Sequence, residues 1–255
     1  MKRIGWGTAV PLFLLVLLIG SLGLNSYLFG KTKRYYWELN ATRLDPLGLS
    51  EFPVGESVVE EEVGVRTAVF FGDSRAAQWP NPNGLEGYRF YNRGIGSQTS
   101  VQVAARFQAH VAPLKPDVII VQMCINDLKT IPLFPQNEQG IIQNCLANID
   151  QVLAEAEQLD AQVILTTVFP VGDVPLARRI VWSPAIAEAV KTVNDQIRSK
   201  ASDTVFIFDS YVLLADAQGK LALEFAHDEL HLNGAGYTHL NANLIQYLHV
   251  QESIP

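Results

Sequence analysis

Four short blocks of this chain hold side chains that could attack a carbonyl, move a proton or receive negative charge. Gly72-Asp73-Ser74-Arg75 closes an apolar run, and a serine opening the next helix would face a cleft near free helix amides. Asn92-Arg93-Gly94-Ile95-Gly96-Ser97-Gln98-Thr99-Ser100 is rich in small residues, which let backbone amides approach a ligand. Met123-Cys124-Ile125-Asn126-Asp127-Leu128 offers the side-chain amide of Asn126 as a donor. In His227-Asp228-Glu229-Leu230-His231-Leu232-Asn233, one turn can bring the Asp228 carboxylate under the His231 imidazole. A serine, a histidine that takes its proton and a carboxylate that orients the histidine are the parts of an acyl-transfer site.

Each block alone has an ordinary reading. Gly-Asp-Ser is a common turn, an asparagine after a strand is a turn residue, and aspartate and asparagine cap helices. The serine block is not the Gly-x-Ser-x-Gly elbow either. His227 and His231, with His239 nearby, raise the alternative of a metal site. Their glutamate stands third in His-Asp-Glu-Leu-His, whereas zincins need it second and inverted zincins fourth. Neither zinc pattern is met. The internal His-Asp-Glu-Leu is no retention signal, because that address works only at a C-terminus.

The elements that must position these residues follow from periodicity. Short apolar runs at 67–71, 89–92, 118–122, 163–167 and 205–209 read as strands. Helical spacing occupies roughly 98–110, 138–159, 184–200 and 234–249, with Leu146, Ile149, Val152, Leu153 and Ala156 recurring every three or four residues. Continuous apolar strands separated by helices predict an α/β, three-layer, doubly wound, parallel five-stranded sheet. Such a sheet takes its ligands outside the carboxyl ends of its strands, where the first three blocks fall.

Upstream, no charge occurs from Ile4 to Gly30, and an apolar run of this length can span a bilayer as a helix. An uncleaved anchor is preferred to a signal peptide cut after Gly23, because apolar residues continue through Leu24, Tyr27, Leu28 and Phe29. Lys2 and Arg3 on one side nearly balance Lys31, Lys33 and Arg34 on the other, yet both readings deliver the rest of the chain outside the cytoplasm, tethered or secreted. Residues 1–30 are thus the anchor, 31–65 a stem and 66–255 the domain. Within the stem, Tyr35-Tyr36-Trp37 suits a membrane interface, while Leu44-Asp45-Pro46-Leu47-Gly48-Leu49 and Glu60-Glu61-Glu62 read as loop and linker. Asn40-Ala41-Thr42 fits a glycosylation sequon, relevant only in a eukaryotic secretory pathway. The net charge of −7, with no basic face, argues against nucleic acid as a partner. Cys124 and Cys145 read as two small core hydrophobes, with a single bond the alternative in an exported domain.

Taken in order, the four blocks resemble the SGNH hydrolase superfamily, the GDSL esterases and lipases, from about residue 67 to residue 249. Gly72-Asp73-Ser74 matches the first block, Asn126-Asp127 the third and Asp228-x-x-His231 the last. The resemblance implies the flavodoxin-like fold of that family and a Ser74–His231–Asp228 triad that requires no metal and no organic cofactor. It further implies an oxyanion hole from the amides of Ser74 and of Ser97 or Gly96 with the side chain of Asn126. Three positions depart from the pattern. Arg75-Ala76 replaces leucine, Cys124 stands where the third block has glycine, and Ser97 stands where the oxyanion glycine is expected. The implied activity is hydrolysis of a carboxylic ester, of a lipid such as a lysophospholipid or of an O-acetylated glycan. Arg178 and Arg179 could meet an anionic head group and Trp182 an acyl chain or sugar face. An acyltransferase with the same triad and a non-catalytic binding protein of the same fold are the alternatives.

Overall fold

The computed structural model describes residues 6–53 and 62–252. Lys2 and Arg3, and Glu60 and Glu61 of the acidic run, lie outside these residues.

The first of two compact units, Met1–Pro46, is built on one helix, α1 (Trp6–Leu44), which is long and apolar enough to cross a membrane. Its 39 residues extend about 58 Å at the α-helical rise, where a bilayer core takes roughly 30 Å. Residues 31–44, read above as stem, therefore continue the helix rather than forming a loose linker. Their sequence supports it: Arg34 pairs with Glu38 one turn on, at 2.6 Å. The helix stops before Pro46, which disfavours helical geometry in the residue preceding it.

The second unit, from Leu47 onward, is the expected three-layer α/β domain. Strands β1 (Arg66–Gly72), β2 (Tyr88–Gly94), β3 (Val118–Gln122), β4 (Gln162–Thr166) and β5 (Val205–Phe208) form one parallel sheet in the order β2-β1-β3-β4-β5. Successive side chains point to opposite faces of a strand. Accordingly, Val69, Phe71, Ile119 and Val121 enter one core, and Ala68, Phe70, Val118 and Ile120 the other. The first core is closed by α3 (Ser100–Ala105), α4 (Phe107–His110), α6 (Glu138–Glu157) and α7 (Ala185–Arg198). On α6 the buried residues Ile142, Cys145, Leu146, Ile149, Val152 and Ala156 make the stripe the spacing predicted. The second core is closed chiefly by α9 (Gly234–Glu252) through Leu240, Leu244 and Leu248, by Leu214 of α8 (Ser210–Leu214), and by Trp79. The single helix expected over 98–110 is split at Arg106, whose φ of −102° and ψ of 7° leave the helical region.

The strand order reverses at β1, whose neighbours β2 and β3 follow it in sequence on opposite sides. This switch point is where a cleft opens in such sheets. Two glycines make its close packing possible. A Cβ on Gly72 would sit 1.7 Å from the Gln122 carbonyl oxygen, and one on Gly94 2.1 Å from the Ala77 amide nitrogen. The two cysteines do not remain separate core residues. Cys124 and Cys145 are joined in a disulfide, which ties the turn after β3 to α6.

Candidate active site

Ser74 opens a short helix, α2 (Ser74–Ala77), directly after β1. Asp73 caps that helix, its Oδ1 accepting from the Arg75 amide at 2.9 Å. From β2, Asn92 braces the same helix: its Nδ2 donates to the Ala76 carbonyl at 2.8 Å and its Oδ1 accepts from the Gly94 amide. The serine is thus presented by a turn fixed on both sides.

The loop before α9 brings the other two residues. Ser74 Oγ lies 3.0 Å from His231 Nε2, and His231 Nδ1 lies 2.9 Å and 3.0 Å from the two carboxylate oxygens of Asp228. Burial pushes the Asp228 carboxyl up, but hydrogen bonds from His231 and from the Leu230 and His231 amides outweigh it and hold it below its ordinary value. An ionised carboxylate only accepts hydrogen bonds, so Nδ1 carries the proton and Nε2 is left to accept from the serine hydroxyl. The three side chains form one hydrogen-bonded chain.

Beside Ser74 stands the second block, to which the third is hydrogen-bonded. Gly96 is adjacent, a Cβ built on it reaching 4.0 Å from Ser74 Cβ. Ser97 is exposed and holds a φ of +65°, the left-handed conformation that glycine adopts freely. Asn126, on α5 (Ile125–Leu128), is buried; its Nδ2 donates to the Gln98 carbonyl at 2.9 Å and its Oδ1 accepts from Lys129 Nζ at 2.5 Å. Asp127 fastens the same turn to α3, accepting from the Ser100 hydroxyl at 2.6 Å and amide at 2.8 Å.

The three residues offered for substrate contact separate. Arg178 pairs with Glu229, a buried carboxylate within the His231 loop, so it braces that loop from the short helical turn Leu176–Val181. Arg179 is exposed and Trp182 half-buried, and both line a groove with Val171, Lys191 and Lys220. Of the residues weighed for metal, His231 is engaged by Ser74 and Asp228, His227 pairs through its backbone with His231, and His239 stacks on Phe225 at 4.9 Å.

Several working residues were not visible as such in the sequence. Arg75 is fully buried, and its guanidinium donates to the carbonyls of Leu230 and Phe169, linking the serine turn to the histidine loop. Its burial lowers its pKa to about 10, and burial likewise pushes Asp73 up to about 6 against the pull of Arg75. Lys129, lowered by burial, sits three residues after Asn126, and that helical spacing was the only signal pairing them.

No curated protein matches the chain by sequence. Among solved structures, a GDSL-like lipase from Bacteroides thetaiotaomicron superposes with a TM-score of 0.66 at 20% identity, over 80% of this chain and 98% of that one. A catalytic mutant of an acetylxylan esterase from Geobacillus stearothermophilus superposes with a TM-score of 0.52 at 19% identity, over 73% of this chain and 95% of that one. These likenesses share the fold. The family model of the GDSL-like lipases and acylhydrolases matches residues 54–239, which takes in every element of the site just described. The chain therefore belongs to the GDSL-like lipase/acylhydrolase family, within the SGNH hydrolase superfamily.

Proposed function

We propose that this protein is a serine esterase that hydrolyses carboxylic esters at Ser74. The observation that carries the reading is the unbroken chain from Ser74 Oγ through His231 to Asp228, with both links at 3.0 Å or less. In the forward step Ser74 Oγ attacks the ester carbonyl while His231 Nε2 takes its proton. The imidazolium so formed is stabilised by Asp228 and then protonates the leaving alcohol. Water, deprotonated by the same histidine, releases the acid and restores the serine.

The negative charge on the tetrahedral oxygen is received by the Ser74 amide, the Asn126 amide and a backbone amide of the Gly96-Ser97 pair. The left-handed backbone at Ser97 supports Ser97, because that conformation belongs to the position where the family carries glycine. The names of similar structures, a lipase and an acetylxylan esterase, support a lipid or acetyl ester as substrate. We place the domain outside the cytoplasm, held by α1. A buried disulfide supports that side, since such bonds persist in oxidising compartments.

The test is labelling of the full chain, in detergent, with a fluorophosphonate probe, alongside hydrolysis of p-nitrophenyl acetate. Labelling and turnover that vanish in Ser74→Ala are expected. Turnover unchanged in that variant would overturn the reading. Release of free acid, rather than transfer to added glycerol, separates the hydrolase from an acyltransferase.

A further inference from the structure

Residues 47–52 read as linker in the sequence, and the family match begins only at residue 54. The structure gives this segment two holds on the turn that carries Gly96, Ser97 and Gln98, and a third on the strand and helix that flank it. The Leu47 carbonyl accepts from Gln98 Nε2 at 2.8 Å. Gly48, at a φ of +67°, lies so close to Ile95 that a Cβ would meet Ile95 Cδ1 at 3.0 Å and Gln98 Nε2 at 3.3 Å. Phe52 covers the Arg93 guanidinium at 4.5 Å and meets the His110 ring edge-on at 5.3 Å.

Gln98 is where these holds reach the site. Its carbonyl accepts from Asn126 Nδ2 at 2.9 Å, and its own Oε1 accepts from Arg106 Nε at 2.5 Å. The buried Arg106 also donates to the carbonyls of Arg93 and of Gly72, both at 2.8 Å. The segment, the Ile95–Gln98 turn, Asn126 and the strand end behind Ser74 are thus joined by consecutive hydrogen bonds. Gly96 and Ser97 are exposed and, among the described residues, neither makes a hydrogen bond that fixes the turn. Its neighbours must fix it.

We propose that residues 47–52 are a positioning element of the active site, holding the Ile95–Gln98 turn and, through Gln98, Asn126, where they receive the oxyanion. The proposal rests on the esterase reading above. It gives the stretch between the membrane helix and the family domain a positioning role. Donor placement is what such an element controls, so its loss lowers kcat more than it weakens substrate binding.

The experiment uses the full chain in detergent, comparing wild type with Phe52→Ala, Phe52→Tyr and Gly48→Val. Two quantities are read: kcat and KM for p-nitrophenyl acetate, and amide hydrogen exchange of residues 93–100. Phe52→Ala and Gly48→Val are expected to lower kcat by about ten- to a hundredfold, to leave KM within about twofold, and to speed exchange at 95–99. Phe52→Tyr keeps the ring over Arg93 and is expected to match wild type in both. Should Gly48→Val fail to fold, Phe52→Ala decides. An unchanged kcat in Phe52→Ala, while turnover still depends on Ser74, overturns the proposal and leaves the esterase standing. If wild-type turnover does not depend on Ser74, the esterase reading fails. Exchange then decides whether the segment holds the turn, and unchanged exchange overturns that as well.

Discussion

Lys129 Nζ stands 2.5 Å from Asn126 Oδ1, so the asparagine amide cannot flip without pointing its NH2 group at an ammonium. The pairing keeps Nδ2 toward Gln98, with one hydrogen on the Gln98 carbonyl and, in the mechanism proposed above, the other left for the oxyanion. Removing an oxyanion donor typically lowers turnover about a hundred- to a thousandfold, and Asn126→Ala is expected in that range. Lys129→Met removes only the orienting charge. It should lower kcat by about tenfold with little change in KM, on the scale of one lost charge-assisted hydrogen bond. Lys129→Gln, which keeps a donor, should recover part of the loss. Steady-state kinetics on the three variants check this. A kcat in Lys129→Met equal to wild type would mean that the amide is oriented by Gln98 alone.

Asp228 can be tested without disturbing the loop that carries it. Its Oδ1 accepts from the Leu230 and His231 amides, each at 2.8 Å, and an asparagine oxygen can do the same. Asp228→Asn therefore keeps the turn but presents either a neutral acceptor or an NH2 to His231 Nδ1, losing the charge that fixes the tautomer. The expected fall in kcat is about 10³- to 10⁴-fold with the melting temperature nearly unchanged. A loss below tenfold would show that His231 acts without its carboxylate.

The parts of this molecule legible in its sequence are those whose signal is local. The sheet was read correctly because β1, β3 and β4 are apolar runs buried on both faces, and α6 because its buried stripe recurs every three or four residues. Asp228 and His231 could be paired because one turn joins them. What escaped reading depends on distant contacts. Arg75 looks like a surface residue until the Leu230 carbonyl, 155 positions away, is known to take its Nε hydrogen. Phe52 lies in a stretch with turn composition, and only the three-dimensional approach of Arg93 gives it a partner. The helix beyond residue 30 was missed for another reason. Its charged and aromatic residues ended the apolar signal, but they do not end a helix, and nothing before Asp45-Pro46 does.

Asp73 makes a pH dependence of stability. Burial raises its carboxyl from 3.8 to about 6, against the attraction of Arg75. Between these values the folded chain holds a proton that the unfolded chain has released. Stability from this group is therefore full below about pH 4 and declines as pH rises to about 6, by at most about 3 kcal/mol. Asp73→Asn keeps an oxygen for the Arg75 amide and removes the titration. Relative to wild type, the variant should gain stability from about pH 4 to about pH 6 and level off above that, in urea unfolding of the full chain in detergent. A difference between the two that stays constant across that range would contradict the assignment.

Cys124 joins a covalent and a conformational constraint at one residue. It is bonded to Cys145 across 21 positions, and it holds a φ of +91° immediately before the helix that carries Asn126. Closing a loop of this length stabilises a fold by about 3 kcal/mol in the chain-entropy account. The left-handed backbone works the other way, costing a residue with a Cβ roughly 1 to 2 kcal/mol that glycine does not incur. The two terms can be separated with two double variants. Cys124→Ala with Cys145→Ala should lose about 3 kcal/mol of unfolding free energy relative to wild type. Cys124→Gly with Cys145→Ala loses the same bond but relieves the backbone, and should recover about 1 kcal/mol of that loss. Chemical denaturation under non-reducing conditions measures both. Equal stability in the two variants would mean that the turn relaxes out of its left-handed conformation once the bond is gone, and Asn126 would then be expected to move with it.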